Sequence, residues 1–317
     1  MKTSALKVRQ SVIALLLCLC TIFGMAAMLW TPAEAAASKE ATAVLKVTNA
    51  QFKKLPSSRA VQKALKVGSY YYLLQHVDKD TYMSRIDTNG NFKDYMKLQG
   101  FGHAQSLEYA QGYFWINCTS DGKGVGDEHF GTQIARFKYD SSKTKRTPLN
   151  YNDKAVKRFN INASSRLEFS ISGNGNLIIG VKKSGGYNTY IYNLKKVSKY
   201  LDTGKNKPKA TYTGSIATSL LPNSSNQGFA LTNDLNLYVS GGSKTQTPTI
   251  NKLTRTSGAN YKLKTSIKFN NYFGEKDEIE GIQIIGEYLY FCVHTHDGFK
   301  GGHGETFGIY KIKKSAF

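Results

Sequence analysis

Short runs in which apolar and polar residues alternate return along this chain at an almost constant distance. Gln133-Ile134-Ala135-Arg136-Phe137, Tyr190-Ile191-Tyr192-Asn193-Leu194, Thr249-Ile250-Asn251-Lys252-Leu253 and Gly308-Ile309-Tyr310-Lys311-Ile312 place their isoleucines 57, 59 and 59 residues apart. Alternation with a period of two marks a half-buried strand, and recurrence at a fixed distance marks one structural unit used repeatedly. An earlier copy of the run is Tyr82-Met83-Ser84-Arg85-Ile86. Ahead of each later run stand two apolar segments around a turn. They are Leu107–Tyr109 with Tyr113–Ile116, Leu167–Phe169 with Leu177–Ile179, Gly228–Leu231 with Leu237–Val239, and Ile282–Ile284 with Leu289–Phe291. Gly112, Gly173-Asn174-Gly175, Asn233-Asp234 and Gly286 occupy the turns, where such residues bend the backbone cheaply. Tyr70–Leu74 takes the corresponding place in the first copy.

A unit of this size with three or four short strands cannot cover both faces of its own sheet, so copies must stack face to face. Closing the stack into a ring removes most exposed edges, and five copies predict an all-β, five-bladed β-propeller. The strand-like stretch Ala41–Val47 precedes the first copy and is placed to close the ring by joining the last blade. A linear β-solenoid is the competing repeat architecture.

The N-terminus changes the picture of where the protein works. Lys2, Lys7 and Arg9 are followed by no charge from Gln10 to Pro32, an apolar stretch from Val12 to Trp30, and then Ala33-Glu34-Ala35. A basic start, an apolar core and small residues around a cleavage point describe a secretory signal peptide over residues 1–35, with one propeller domain over 36–317. An uncleaved anchor is the alternative. Cleavage removes three positive residues and Glu34, so the net charge falls from +21 to +19 on the remaining 282 residues. Such a charge outside the cell calls for a polyanionic surrounding. Lysines gather modestly at Lys143–Arg146, Lys195–Lys199 and Lys205–Lys209. Of the cysteines, Cys118 and Cys292 remain, in copies two and five, which are not neighbours in a ring of five. Both are expected to be buried free thiols.

Polar residues recur where the hairpins begin: His103, Gln105 and Glu108 in the second copy, Arg166 and Glu168 in the third, Gln227 in the fourth, and Glu280 and Gln283 in the fifth. If the first strand of each hairpin is innermost, these converge on the propeller channel as a ligand-binding mouth, or simply hydrogen-bond one another there. His294-Thr295-His296 sets two imidazoles on one strand face, with His303 and His129 in loops; no firm third ligand accompanies them, so no metal site and no cofactor are expected. The glycine-rich stretches Gly122–Gly131 and Gly298–Gly304 lack phosphate-loop spacing and read as blade loops. No catalytic elbow or HExxH helix is present, so catalysis is left open with a binder favoured.

Several blocks, in order, resemble the helveticin J family of large class III bacteriocins. They are Gly102–Ala110, Thr132–Arg136, Ile191–Leu194, Asn226–Leu231 with Asn236–Ser240, and Glu278–Glu287. The resemblance runs from about residue 102 to the C-terminus; the full signal peptide departs from the family's founding member, and residues before about 100 match weakly. It implies a secreted protein of lactic acid bacteria that inhibits related bacteria, with homologues at cell surfaces. The expected partners are anionic envelope polymers such as teichoic acids, not nucleic acid. No stable membrane span is expected after signal cleavage, and the chain is expected to be a monomer, secreted and associated with Gram-positive cell walls. Two other functions fit the same residues: a propeller hydrolase acting on glycan or lactone, with Glu168 and Glu280 as paired carboxylates, and a lectin-like surface adhesin that does not kill.

Overall fold

The computed structural model describes residues 40–242, 245–269, 277–295 and 306–317. The expected signal segment and its boundary at residue 35 lie outside these residues, as do His296, His303 and the Gly298–Gly304 stretch. Among the described residues no helix is long and apolar enough to cross a membrane.

Five antiparallel sheets follow one another along the chain. After β1 (Thr42–Lys46) and a single-turn helix α1 (Asn49–Phe52), blade 1 contains β2 (Val61–Val67), β3 (Tyr70–Val77), β4 (Asp80–Asp87) and β5 (Phe92–Gln99). Blade 2 contains β6 (Leu107–Ala110), β7 (Tyr113–Cys118) and β8 (Gln133–Phe137); then β9 (Leu149–Asn150) turns aside to pair in parallel with β5, and β10 (Lys157–Phe159) completes blade 2. Blade 3 has β11 (Leu167–Ile171), β12 (Asn176–Lys183), β13 (Gly186–Asn193), a helix α2 (Leu194–Thr203) and β14 (Tyr212–Ala217). Blade 4 has β15 (Gly228–Leu231), β16 (Leu237–Gly241), β17 (Thr249–Arg255) and β18 (Tyr261–Lys268). Blade 5 has β19 (Asp277–Ile285), β20 (Tyr288–Thr295) and β21 (Thr306–Lys313), and its fourth strand is β1.

The first strands pack in a cycle, β2 on β6, β6 on β11, β11 on β15, β15 on β19 and β19 back on β2, so the ring is closed. This is the five-bladed propeller that the repeat predicts, and β1 seals it by pairing antiparallel with β21, Thr42 opposite Lys311 and Lys46 opposite Gly308. The ends of the chain thus share a sheet. Opening the ring requires stripping an outer strand from blade 5.

Each blade is buried on both faces, which explains why its second strand reads as a nearly unbroken apolar run. In β7, Phe114 and Ile116 pack with Leu74, Met83 and Leu98 of blade 1, while Trp115 between them packs with Phe169, Leu177 and Ile179 of blade 3. In β12, Ile178 turns the other way and meets Phe229, Val239 and Leu253 of blade 4. Leu45, Phe307 and Ile309 meet Val61, Leu73 and Ile86 across the closing seam. Burying each such side chain contributes roughly 1.5–3 kcal/mol, so the seams between blades, not the sheets alone, carry the stability. Cys118 lies in the seam of blades 1 and 2, and Cys292 in that of blades 5 and 1; both are free thiols.

Helix α2 is an interruption that the strand repeat does not anticipate. Asn193 caps it by accepting from the Lys196 amide at 3.1 Å, and Gly204 ends it at φ 67°. Leu194, Val197 and Leu201 are spaced to form one apolar stripe, and they are buried against Phe159 and Tyr192.

Candidate functional site

The inner strands carry polar side chains at both ends of the propeller axis, and the two ends differ. Where the strands begin, the side chains close on one another. Gln105 Nε2 donates to Gln227 Oε1 at 3.0 Å, from blade 2 across to blade 4, and to Gln62 Oε1 of blade 1 at 3.4 Å. His103 Nε2 lies 2.6 Å from the same Gln62 oxygen. One layer deeper, Glu168 accepts from Arg166 Nε at 2.7 Å and from Ser106 Oγ at 2.6 Å, while Arg166 Nη2 reaches the Asn226 carbonyl at 2.8 Å. Asn117 Oδ1 receives the amides of Gln105 and Ser106 at 3.0 and 2.9 Å and so orients that segment. The result is a hydrogen-bonded plug across the channel, held by four blades. These hydrogen bonds tie the inner strands to one another and stiffen the plug, although Gln105 Oε1 within it has no partner.

Lys63, from β2, reaches beneath the plug to the inner strand of the neighbouring blade 5 and donates to the Ile282 carbonyl. Its side chain passes directly over Gly281, whose φ is +68°; a Cβ there would lie 2.2 Å from Lys63 Cδ, so only glycine fits. Burial pulls the Lys63 pKa down, opposed by the nearby Glu108 and Glu168 carboxylates. Burial pushes Glu108 up, opposed by Lys63. Glu280 is raised well above its ordinary value by burial and by the negative neighbours Glu278 and Glu168, against the pull of Arg166. Its Oε2 has no hydrogen-bond partner. Burial of a carboxyl with an unpartnered oxygen disfavours its ionised form.

Where the inner strands end, the axis opens into a depression of about 1130 Å³, lined among others by Glu108, Tyr109, Ser170, Asn174, Asp234 and Gln283. Its walls are stiff. Ser170 Oγ donates to Glu108 Oε1 at 2.8 Å, Asn174 Nδ2 donates to the Asn233 carbonyl at 2.9 Å, and Asn236 Nδ2 donates to Asp234 Oδ2 at 2.6 Å. Tyr109 is 44% exposed at the rim. Hydrogen-bonding groups beside an exposed ring suit a hydroxylated chain.

The eight residues singled out by sequence are therefore divided. His103, Gln105, Arg166, Glu168, Gln227 and Glu280 belong to the plug or the layer under it, and Glu108 and Gln283 face the open depression. Gln283 is also a clamp, since its amide accepts from Lys66 N at 2.8 Å and donates to Lys66 O at 3.1 Å, tying blade 5 to blade 1. Sequence reasoning missed Gln62 and Lys63, because the first blade's inner strand was not recognised. Gly281, a glycine inside an otherwise regular strand, was the available signal.

His76, His103 and Glu128 group closely enough to suggest a metal, with His103 Nδ1 3.5 Å from Glu128 Oε2. The two imidazoles, however, stack with centroids 4.3 Å apart and planes 4° apart. Ring lone pairs lie in the ring plane, so parallel rings cannot aim at one ion. His103 is further sandwiched by Phe130 at 4.8 Å, and burial holds its pKa down at about 2, which keeps the ring neutral. His294 is a buried strand residue, and His129 Nδ1 lies 2.7 Å from the Lys123 carbonyl in its loop.

The fold has broad likenesses among solved structures, all at low identity. A PQQ-bound aldose sugar dehydrogenase from Streptomyces coelicolor aligns with a TM-score of 0.42 and 10% identity, covering 88% of this chain and 100% of that one. A glycosyl hydrolase from Bacteroides ovatus aligns at 0.42 and 9%, covering 81% and 85%. The WD40 domain of Toxoplasma gondii coronin aligns at 0.38 and 9%, covering 81% of this chain and 58% of that one. No curated protein matches the sequence. The family model of the bacteriocin helveticin-J matches residues 42–315, from the strand that seals the ring to the end of the last blade, and the chain belongs to that family.

Proposed function

We propose that this protein is exported and inhibits related bacteria by binding their envelope, drawn by its positive charge and docking a wall polymer in the open end of the propeller axis. The depression is the observation that carries this reading. It is large, polar, built on rigid strands, and lined by side chains from several blades, whereas the opposite end is closed by its own hydrogen bonds. The net charge, +21 on the full chain and +19 once residues 1–35 are removed, supplies long-range attraction to an anionic wall.

The binding half of this reading is tested by incubating purified protein with isolated cell walls at increasing salt. Retention should be strong at low ionic strength and fall steeply towards molar salt, because exposed charges are screened within about 10 Å at 0.1 M. Retention unchanged across that range overturns the electrostatic part. Zones of inhibition on related bacteria test the killing half, and their absence with intact wall binding would favour the non-killing adhesin. The hydrolase reading gains no support from the geometry, since Glu168 and Glu280 are both buried beneath the plug.

A further inference from the structure

We propose that the groove between the outer strand of blade 2 and helix α2 is a docking cleft for a phosphodiester polyanion of the bacterial wall, of the teichoic-acid type. This rests on the envelope-binding reading and locates its electrostatic part at one place on the rim of the ring, apart from the axial depression. The groove has a volume of about 440 Å³ and runs between Lys157, Arg158 and Asn160 on one side and Tyr200 and Gly204 on the other. A second hollow of about 330 Å³ on the same rim is lined in part by Lys138, Lys143 and Lys157.

Tyr200 and Leu201 of α2 and the Gly204 that ends it line the groove, and the helix and the segment after it carry Lys195, Lys196, Lys199, Lys205, Lys207 and Lys209, all exposed. Between residues 193 and 211 the one acidic residue is Asp202, and Arg136 holds its carboxylate. The acids on the blade 2 side are used in turns: Asp140 accepts from the Ser142 amide at 2.9 Å and Asp153 from the Ala155 amide at 2.9 Å. Those turn carboxylates keep their charge, but Lys157, Arg158 and the six lysines of the α2 segment outnumber Asp140, Asp153 and Asp202, so this rim carries an excess of positive charge.

Two features argue for more than a solvated face. Lys195 and Lys196 stand in the first turn of α2, which contains no acid, at the end of the helix where the backbone dipole is already positive. Folding alone gains nothing from cations there, but a bound anion does. The helix is also held rigidly, by the Asn193 and Gly204 caps and by Leu194, Val197 and Leu201 packed into the seam of blades 2 and 3. Lys195, Lys196 and Lys199 therefore lie within about 6 Å along a fixed axis, at a rise of about 1.5 Å per residue. A ligand with a charge on every repeat meets several ammonium groups together, each a compact phosphate partner.

The test uses purified poly(glycerol phosphate) teichoic acid and the full protein carrying K157Q, K196Q and K199Q, beside a control with the same charge loss at K46Q, K53Q and K54Q, three exposed lysines near the ring closure. The rim variant should bind the polymer about tenfold more weakly, with a shallower dependence on salt, while the control stays within about twofold of wild type. Circular dichroism of both variants confirms that they fold. Equal losses in the two variants would reduce the effect to net charge and overturn the cleft. Tighter binding of duplex DNA than of teichoic acid at equal salt would overturn the choice of partner. Failure of the wild type to bind walls at all sinks the broader envelope reading, whereas wall binding that survives the rim substitutions sinks only this one.

Discussion

At the scale of single residues, the chemistry of the propeller axis is set by burial. Glu280 shows the sign of the effect. Its pKa in the folded chain lies above the ordinary 4.5, so the folded state keeps a proton that the unfolded state releases. The stability it lends is fully present below the unfolded value and is lost as pH rises through the folded one, at about 1.4 kcal/mol per pH unit within that window. Glu280→Gln, which cannot ionise, should therefore melt at least as high as wild type at pH 8 and show a weaker decline between pH 5 and pH 8. A steeper decline in the variant would contradict the assignment. The cysteines make a second expectation. Burial pushes the Cys118 thiol up to about 12 and raises Cys292 as well, so neither is reactive in the native state. A thiol reagent should titrate none of them before denaturation and both afterwards without reductant. The polar residues of the hairpin starts were legible because Glu, Gln and Arg are conspicuous among apolar runs; which of them would touch each other was not, since hydrogen bonds such as Gln105 to Gln227 join residues 122 positions apart.

At the scale of elements, strands were legible and the helix was not. The runs around Ile134, Ile191, Ile250 and Ile309 became β8, β13, β17 and β21, the third strand of four successive blades. Their alternation survives translation into structure because each blade needs side chains on both faces. Helix α2 carries an apolar stripe, Leu194, Val197 and Leu201, but its sequence stands out only for the lysines at Lys195–Lys199. Its cap is a local device and can be tested alone. Asn193→Ala removes the acceptor of the Lys196 amide and should lower stability by about 1 kcal/mol, read as a shift in the denaturant midpoint. If the helix end were satisfied by water instead, the midpoint would not move. The inner strand of blade 1 escaped notice because Gln62 and Lys63 interrupt its apolar pattern, and they do so because Lys63 serves the layer beneath the plug rather than an apolar seam.

At the scale of the whole molecule, the ring is closed by one strand, β1, which pairs with β21 and completes blade 5. The plug and the axial depression are built from side chains of four or more blades, so both depend on the ring staying closed through the pairing of β1 with β21. The fivefold repeat, the sealing strand, the family membership and the excess of positive charge were determined by the sequence itself, because periodicity, composition and word order are local and additive properties. Which end of the axis is closed and which is open, how eight polar residues divide between them, and where on the rim positive charge is in excess were decided only by tertiary structure. Those outcomes depend on distances between side chains of different blades, and no spacing along a single chain encodes them directly.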